Sequence, residues 1–445
     1  MFTFCDFERG GWTNSKWVAG FVLSMTAVSA FGAPPLIAVR AKRMLDVRRG
    51  VMVSDPVILI ESGRIKALGS GLAIPAGAEI TDLGDTTLLP GLIDCHTHLL
   101  QNFDPRFWDE LGLVRNITEM PTASRALLAV KTGREDLEAG ITTVRDVGNS
   151  GLNGAVALRN AIEAGWFEGP HVVACGRALS PIGGQFGSLP PAAQGLVDQE
   201  YVPINGVEEA RKAVRQSLYE GADCIKVIVD QLPVILSVEE LKAIVSEAHR
   251  LGKKVAAHAI ADQAVDNAIE AGVDSIEHAY TLTDAQAKLM AAKGIFLVPT
   301  DHPRDAYMYG MVLTPEERKR GEYNFGWLTR HNRERLQRAM KAGVRVAAGS
   351  DSYQNTTPIT RGQASRTMFA AYAEAGMSNL EVIRTGTTNA AELIGLDKDL
   401  GALEAGKYAD IIAVTGDPLK DIHMLEKVRF VMKAGKIEKN NQAGD

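Results

Sequence analysis

The strongest constraint on how this chain folds is a local pattern that repeats between about residues 130 and 352. An amphipathic helix leads to a glycine turn, then to a short β-branched strand ending in a polar residue. Copies occupy 137–146, 219–228, 251–258, 270–278, 292–299 and 341–351. Strands alternating with helices specify a parallel sheet with right-handed crossovers. Adding the strand before His96 gives at least seven such units, which favours an α/β fold closed into a (β/α)8 TIM-like barrel over an open, doubly wound sheet. No glycine-rich dinucleotide fingerprint follows a first strand, which lowers the open sheet further. Ser237-Val-Glu-Glu240 is a capping box that opens one of the helices, and Gly252 supplies its stop.

The two ends of the chain are patterned differently. Residues 36–88 and the tail 400–440 carry alternating apolar runs, broken by a Ser-Gly or Ala-Gly turn followed by a basic residue and Ile. Together they are expected to form one small β-sandwich domain, clamping the barrel at 89–399. A chain of 445 residues accommodates both.

Residues 1–32 read as a leader. After Lys16, the apolar stretch 17–30 is too short to span a bilayer and ends in small residues, as in a Sec-type signal peptide cleaved after Ala30 or Gly32. Asp6 and Glu8 offset Arg9 and Lys16, so a buried first helix or a misassigned start stands as the alternative. With a genuine leader the mature protein is exported, to a periplasm-like space; without one it is cytoplasmic. No later segment has the pattern of a membrane span. The net charge of −6, with no basic stripe, argues against a nucleic-acid partner. Cys5 lies in the leader, and Cys95, Cys175 and Cys224 show no paired spacing, so no disulfide scaffold is expected. A homo-oligomer is expected.

The apolar run 88–93 ends in His96 and His98, one residue apart. Side chains alternate along a strand, so both imidazoles project to one side and make half of a metal site, most naturally for Zn2+. A surface His-x-His in a loop is the bland alternative. Barrel enzymes place their chemistry at the carboxyl ends of strands. Lys226, His258, His278 and Asp351 fall at those ends together with His96 and His98. Lys226 lies inside an apolar strand, where a bare ammonium is costly to bury. Carbamylation by CO2 would make it an anion with two oxygens, able to bridge two metals; a neutral or ion-paired lysine is the other option.

The segment from Leu89 to His98, Ile276-Glu-His278, Gly349-Ser-Asp351, the run 388–393 and the run 400–412 together resemble the amidohydrolase superfamily, in the branch of imidazolonepropionases and Xaa-Pro dipeptidases. The likeness covers nearly the whole chain after the leader. It implies a binuclear centre in which His96, His98, carbamylated Lys226 and Asp351 hold one Zn2+, and Lys226, His258 and His278 hold the second. It further implies hydrolysis of the amide before a C-terminal amino acid, with Asp351 as both ligand and proton carrier. Dipeptides and N-acyl amino acids are the implied substrates, with ochratoxin A-type amides among them.

Such a substrate carries a free carboxylate, for which Arg177, Tyr280, His302 and Arg361 are candidate contacts, each with a scaffold role as alternative. Two loops depart from the family pattern. Ile182-Gly-Gly-Gln185 stands where many members have Thr-Gly-Gly-His, and Thr360-Arg-Gly-Gln363 where His-Gly-x-Asn is usual. Both put the dipeptide preference in doubt. Residues 299–327, with Tyr307, Tyr309, Phe325 and Trp327, form either an aromatic lid or an oligomer contact. A cyclic amide or lactone hydrolase on the same metals is the competing enzyme class, and a non-catalytic metal-binding scaffold the competing non-enzyme.

Overall fold

Alternation of helix and parallel strand organises the centre of the molecule. The structure, a computed structural model, describes residues 35–102, 110–186 and 188–441; the expected leader lies outside them. Strands Leu92–Thr97, Ile141–Asp146 and His171–Ala174 form one parallel sheet. A second parallel sheet runs in the order Tyr201–Pro203, Ala178–Ser180, Ile225–Ile228, Val255–Ala259, Ser275–His278 and Phe296–Val298.

The last copy of the repeat makes an isolated parallel bridge, Leu297 to Val346, where a strand was expected. Its backbone divides a short run between two neighbours. The Leu297 amide donates to the Arg345 carbonyl at 2.9 Å, and the Cys95 amide donates to the Ala348 carbonyl at 2.8 Å. Neither partner receives enough consecutive residues for a ladder.

Helices cover these strands by the expected periodicity. Val238–Arg250 buries Leu241, Ile244, Val245 and Ala248, one stripe of a 3.6-residue repeat. Its capping box is present: the Ser237 side chain accepts from the Glu240 amide.

Both chain ends form short strands joined by tight turns, in two sheets that are mostly antiparallel, with parallel pairs between Ile37–Arg40 and Glu79–Asp82 and between Arg43–Asp46 and Thr86–Pro90. Pro56–Glu61 pairs with Arg64–Ser70 across Ser62 and Gly63, and Val428–Lys433 pairs with Lys436–Asn440 across Ala434 and Gly435. All four turn residues have positive φ, the handedness that matches strand twist. One four-stranded and one six-stranded sheet result, and a single apolar cluster draws Val39, Ile58 and Ile60 from the first and Leu88, Ile411 and Phe430 from the second.

The two parallel sheets meet where the strand His171–Ala174 breaks and resumes as Ala178–Ser180. There Cys175 and Cys224 form a disulfide, correcting the expectation that the cysteines are unpaired. Sequence spacing of 49 gave no sign of it, because the contact joins neighbouring strands through an intervening crossover. Asp223 reinforces the junction: its amide donates to the Ala174 carbonyl at 2.7 Å, and its carboxylate accepts from the Ala174 amide at 3.0 Å. Closing a loop of this length restricts the unfolded chain by roughly 4 kcal/mol. Reduction with thiol blocking, or replacement of both cysteines by serine, is therefore expected to lower the melting temperature by several degrees. Recovery of every cysteine as a free thiol under denaturing, non-reducing conditions would contradict the bridge.

Candidate active site

The carboxyl ends of the parallel strands bring six side chains to one place. His96 and His98 end the first strand with ring centroids 5.3 Å apart. His278 lies 5.1 Å from the His96 ring and 4.7 Å from that of His258. Strand register sets this order, pairing Ile228 with His258 and Ala259 with His278. Asp351 follows the bridge at Val346, where Gly349 permits the approach: a Cβ there would stand 2.8 Å from that of His96. Asp94 ties the two segments together, one oxygen accepting from the amides of His96 and Ser350, both at 3.0 Å.

Hydrogen bonds aim the imidazoles. His98 Nδ1 donates to the Gly148 carbonyl at 2.8 Å, so its lone pair lies on Nε2, 3.2 Å from Asp351 Oδ1. His96 Nδ1 lies 2.6 Å from Glu277 Oε2, which leaves Nε2 facing Asp351 at 3.6 Å. His278 Nδ1 lies 2.9 Å from Thr300 Oγ1, whose own proton goes to the Pro299 carbonyl, so this ring also donates through Nδ1. Potential ligand atoms of His96, His98 and Asp351 lie within 4.8 Å of one another, a group able to hold a metal ion. Asp351 keeps 19% of its side chain exposed and is the member nearest solvent.

Burial keeps these donors uncharged. It is the main cause holding His96 and His278 well below the ordinary imidazole range and His258 down at about 3, so all three rings are neutral at neutral pH. Lys226 is 2% exposed, and burial lowers its amine to about 8 against the pull of Glu277 and Asp351. Among the described residues the Lys226 amine makes no hydrogen bond or ion pair. Electrostatic interaction with Asp351 and with the His96, His258 and His278 rings places the Lys226 amine beside them.

The four candidate substrate contacts separate. Tyr280 and His302 line a small cavity beside Asp351. His302 is held there by the Ser350 carbonyl, 2.6 Å from Nε2, and by Thr367 Oγ1, 2.8 Å from Nδ1. Arg361 is buried and donates to the carbonyls of His98, Ser352 and Gln101. Arg177 pairs with Glu220 at 3.1 Å and donates to the Asp198 carbonyl. These partners give both arginines a scaffold role, the alternative each carried. Of the aromatic segment, Tyr307 and Tyr309 line the cavity, Phe325 stacks on Tyr307 at 5.3 Å, and Trp327 is exposed.

The amidohydrolase family pattern matches residues 87–438. This chain belongs to the amidohydrolase family. It is 32% identical over 387 residues to an ochratoxinase of Aspergillus niger, covering 80% of this chain and 76% of that enzyme. To an imidazolonepropionase of Deinococcus deserti it is 26% identical over 442 residues, covering 92% and 98% respectively. Among solved structures it resembles a Xaa-Pro dipeptidase with methionine bound in the active site, with a TM-score of 0.76, 30% identity and coverage of 90% and 99%. The A. niger ochratoxinase structure gives a TM-score of 0.76, 28% identity and coverage of 91% and 96%. These are TIM-barrel enzymes, amidohydrolases usually bind metal, and the His96, His98 and Asp351 group is where this one offers converging donors.

Sequence inspection missed the residues behind the ligands. Glu277, fully buried, accepts from Arg145 at 2.9 Å and from Ser275 Oγ at 2.5 Å while holding His96. The signal was available: a charged residue beside His278 in a short strand whose neighbours are all buried. Replacing Glu277 with Gln is expected to weaken metal retention by about 10- to 100-fold, since partners of metal-bound histidines act at that scale. Competition with a chelator measures it; native retention in a folded variant would remove Glu277 from this role.

Proposed function

We propose that this amidohydrolase is a binuclear zinc enzyme that hydrolyses the amide bond before a C-terminal amino acid, in dipeptides or N-acyl amino acids, ochratoxin A-type amides included. The observation that carries this is Asp351, a partly exposed carboxylate within reach of two inward-facing Nε2 atoms. The same reading takes the parallel strands as a closed (β/α)8 barrel and the two sheets built from the chain ends as a β-sandwich domain.

His96, His98, Lys226 and Asp351 would hold one metal, and Lys226, His258 and His278 the other. Lys226 would serve as a carbamate, formed when its neutral amine adds to CO2 and releases a proton. When bound, the metals would polarise the scissile carbonyl and ease deprotonation of water near neutral pH. Asp351 accepts the proton of the attacking water and returns it to the nitrogen of the leaving amine. Glu277 and Gly148 hold their imidazoles still while this happens, which keeps reorganisation small. Tyr280 lies against the His278 ring, 5.6 Å between centroids, and borders the space on the Asp351 side.

We infer further that the enzyme works outside the cytoplasm and as a homo-oligomer. The Cys175–Cys224 bridge supports an oxidising compartment. Exposed Tyr323 and Trp327 on the helix Pro315–Ala342 suit a contact between copies.

Asp351→Asn is expected to keep the fold and lose turnover by about 10²- to 10⁴-fold on N-acyl amino acids. A near-native rate would exclude Asp351 as proton carrier. Chelation is expected to abolish activity and Zn2+ to restore it; undiminished turnover of a metal-free preparation would refute a metal mechanism. A panel of N-acyl amino acids, dipeptides, lactones and cyclic amides separates the proposed reaction from the ring-opening alternative.

A further inference from the structure

The cavity beside Asp351 has an unexplained polar wall. It is small, about 40 Å3, and is bounded by Tyr280, Tyr307, Tyr309, Asp351 and Gln354, with no lysine or arginine among the described residues that line it. Gln354 is 8% exposed, and its Oε1 is buried without a hydrogen-bond partner. Among the described residues its carboxamide makes no hydrogen bond at either end. Buried polar groups are nearly always paired, so a carboxamide left open in a cavity wall is an invitation to a ligand.

We propose that Gln354 selects the side chain of the leaving amino acid, favouring a carboxamide, as in glutamine or asparagine. This rests on the amide-hydrolysis function given above. Asp351 returns the proton to the leaving amine, so the space on its flank lies towards the leaving amino acid. The cavity is small, and the compact planar head of a carboxamide suits it. A free carboxamide presents one donor and one acceptor, and another carboxamide matches both. A carboxylate would satisfy the NH2 end and set oxygen against Oε1; an ammonium would do the reverse. Discrimination follows from leaving a polar group unpaired rather than from shape.

The test compares kcat/KM for N-acetyl-glutamine, N-acetyl-glutamate, N-acetyl-leucine and N-acetyl-phenylalanine with the zinc-loaded enzyme. Calorimetry with free glutamine and glutamate adds a readout independent of turnover. The native enzyme is expected to prefer the glutamine substrate over the glutamate one by about tenfold or more. Gln354→Met, close in size and apolar, is expected to bring that ratio to within about twofold, mostly through KM, and to weaken glutamine binding in step. Gln354→Glu is expected to shift preference towards N-acetyl-lysine. Turnover without discrimination, or a ratio unchanged in folded Gln354→Met, overturns the assignment and leaves amide hydrolysis standing. Glutamine-selective binding without turnover of any amide overturns the hydrolytic function and upholds the subsite. Neither binding nor turnover overturns both.

Discussion

Everything at the site depends on one buried carboxylate. Glu277 has no exposed surface, and it simultaneously meets the Arg145 guanidinium, the Ser275 hydroxyl and His96 Nδ1. Arg145 is itself buried and extends the connection to the Cys95 carbonyl at 2.6 Å, one residue before His96. A pair of this kind gains little over an apolar one, because desolvation offsets its attraction, yet losing one partner costs about 3–5 kcal/mol. Its value lies in direction. The carboxylate fixes which nitrogen of His96 faces the cavity, and the arginine fixes the carboxylate.

Around that network the backbone departs from its relaxed conformations. His278, Thr300 and Asp351 have φ values of 70°, 59° and 51°, in the left-handed region that non-glycine residues seldom occupy. The three lie just at or beyond the ends of consecutive strand segments, and they interlock: Thr300 receives the His278 ring, and the Asp351 amide donates to the His96 carbonyl at 2.8 Å. Such residues persist only where the surroundings over-determine them. Arg335 supplies part of that restraint, donating to the carbonyls of His278 and Pro299 while paired with buried Asp301. A strand that ended in relaxed extended geometry would carry His278 and Asp351 to other positions.

Much of this was legible in the sequence because it is local. Strand ends, the Ser237 cap, and the Ser62-Gly63 and Ala434-Gly435 turns follow from neighbouring residues, and the structure has each of them. The six clustered side chains were found because strand periodicity and barrel convention place polar termini together. The pairing of Cys175 with Cys224 was not legible, since it is decided by which strands become neighbours. Glu277 escaped for a related reason: its partner Arg145 is 132 residues away in sequence, and only the sheet brings them into contact.

The arginines show where such inference stops. Arg361 follows Asp351 by ten residues and carries the right charge for a carboxylate, yet its donors are taken by backbone carbonyls, one of them 263 residues distant. Arg177 is likewise held by Glu220 and the Asp198 carbonyl. Charge is a property of the residue, whereas availability is a property of the fold. Ligand positions are shared across a family because metal geometry leaves few solutions. A specificity wall has no such restriction, and each loop closes over the mouth with its own residues. Here that wall includes three tyrosines, His302 and the Gln354 carboxamide, so under the proposed reading recognition beside Asp351 turns on matching hydrogen bonds.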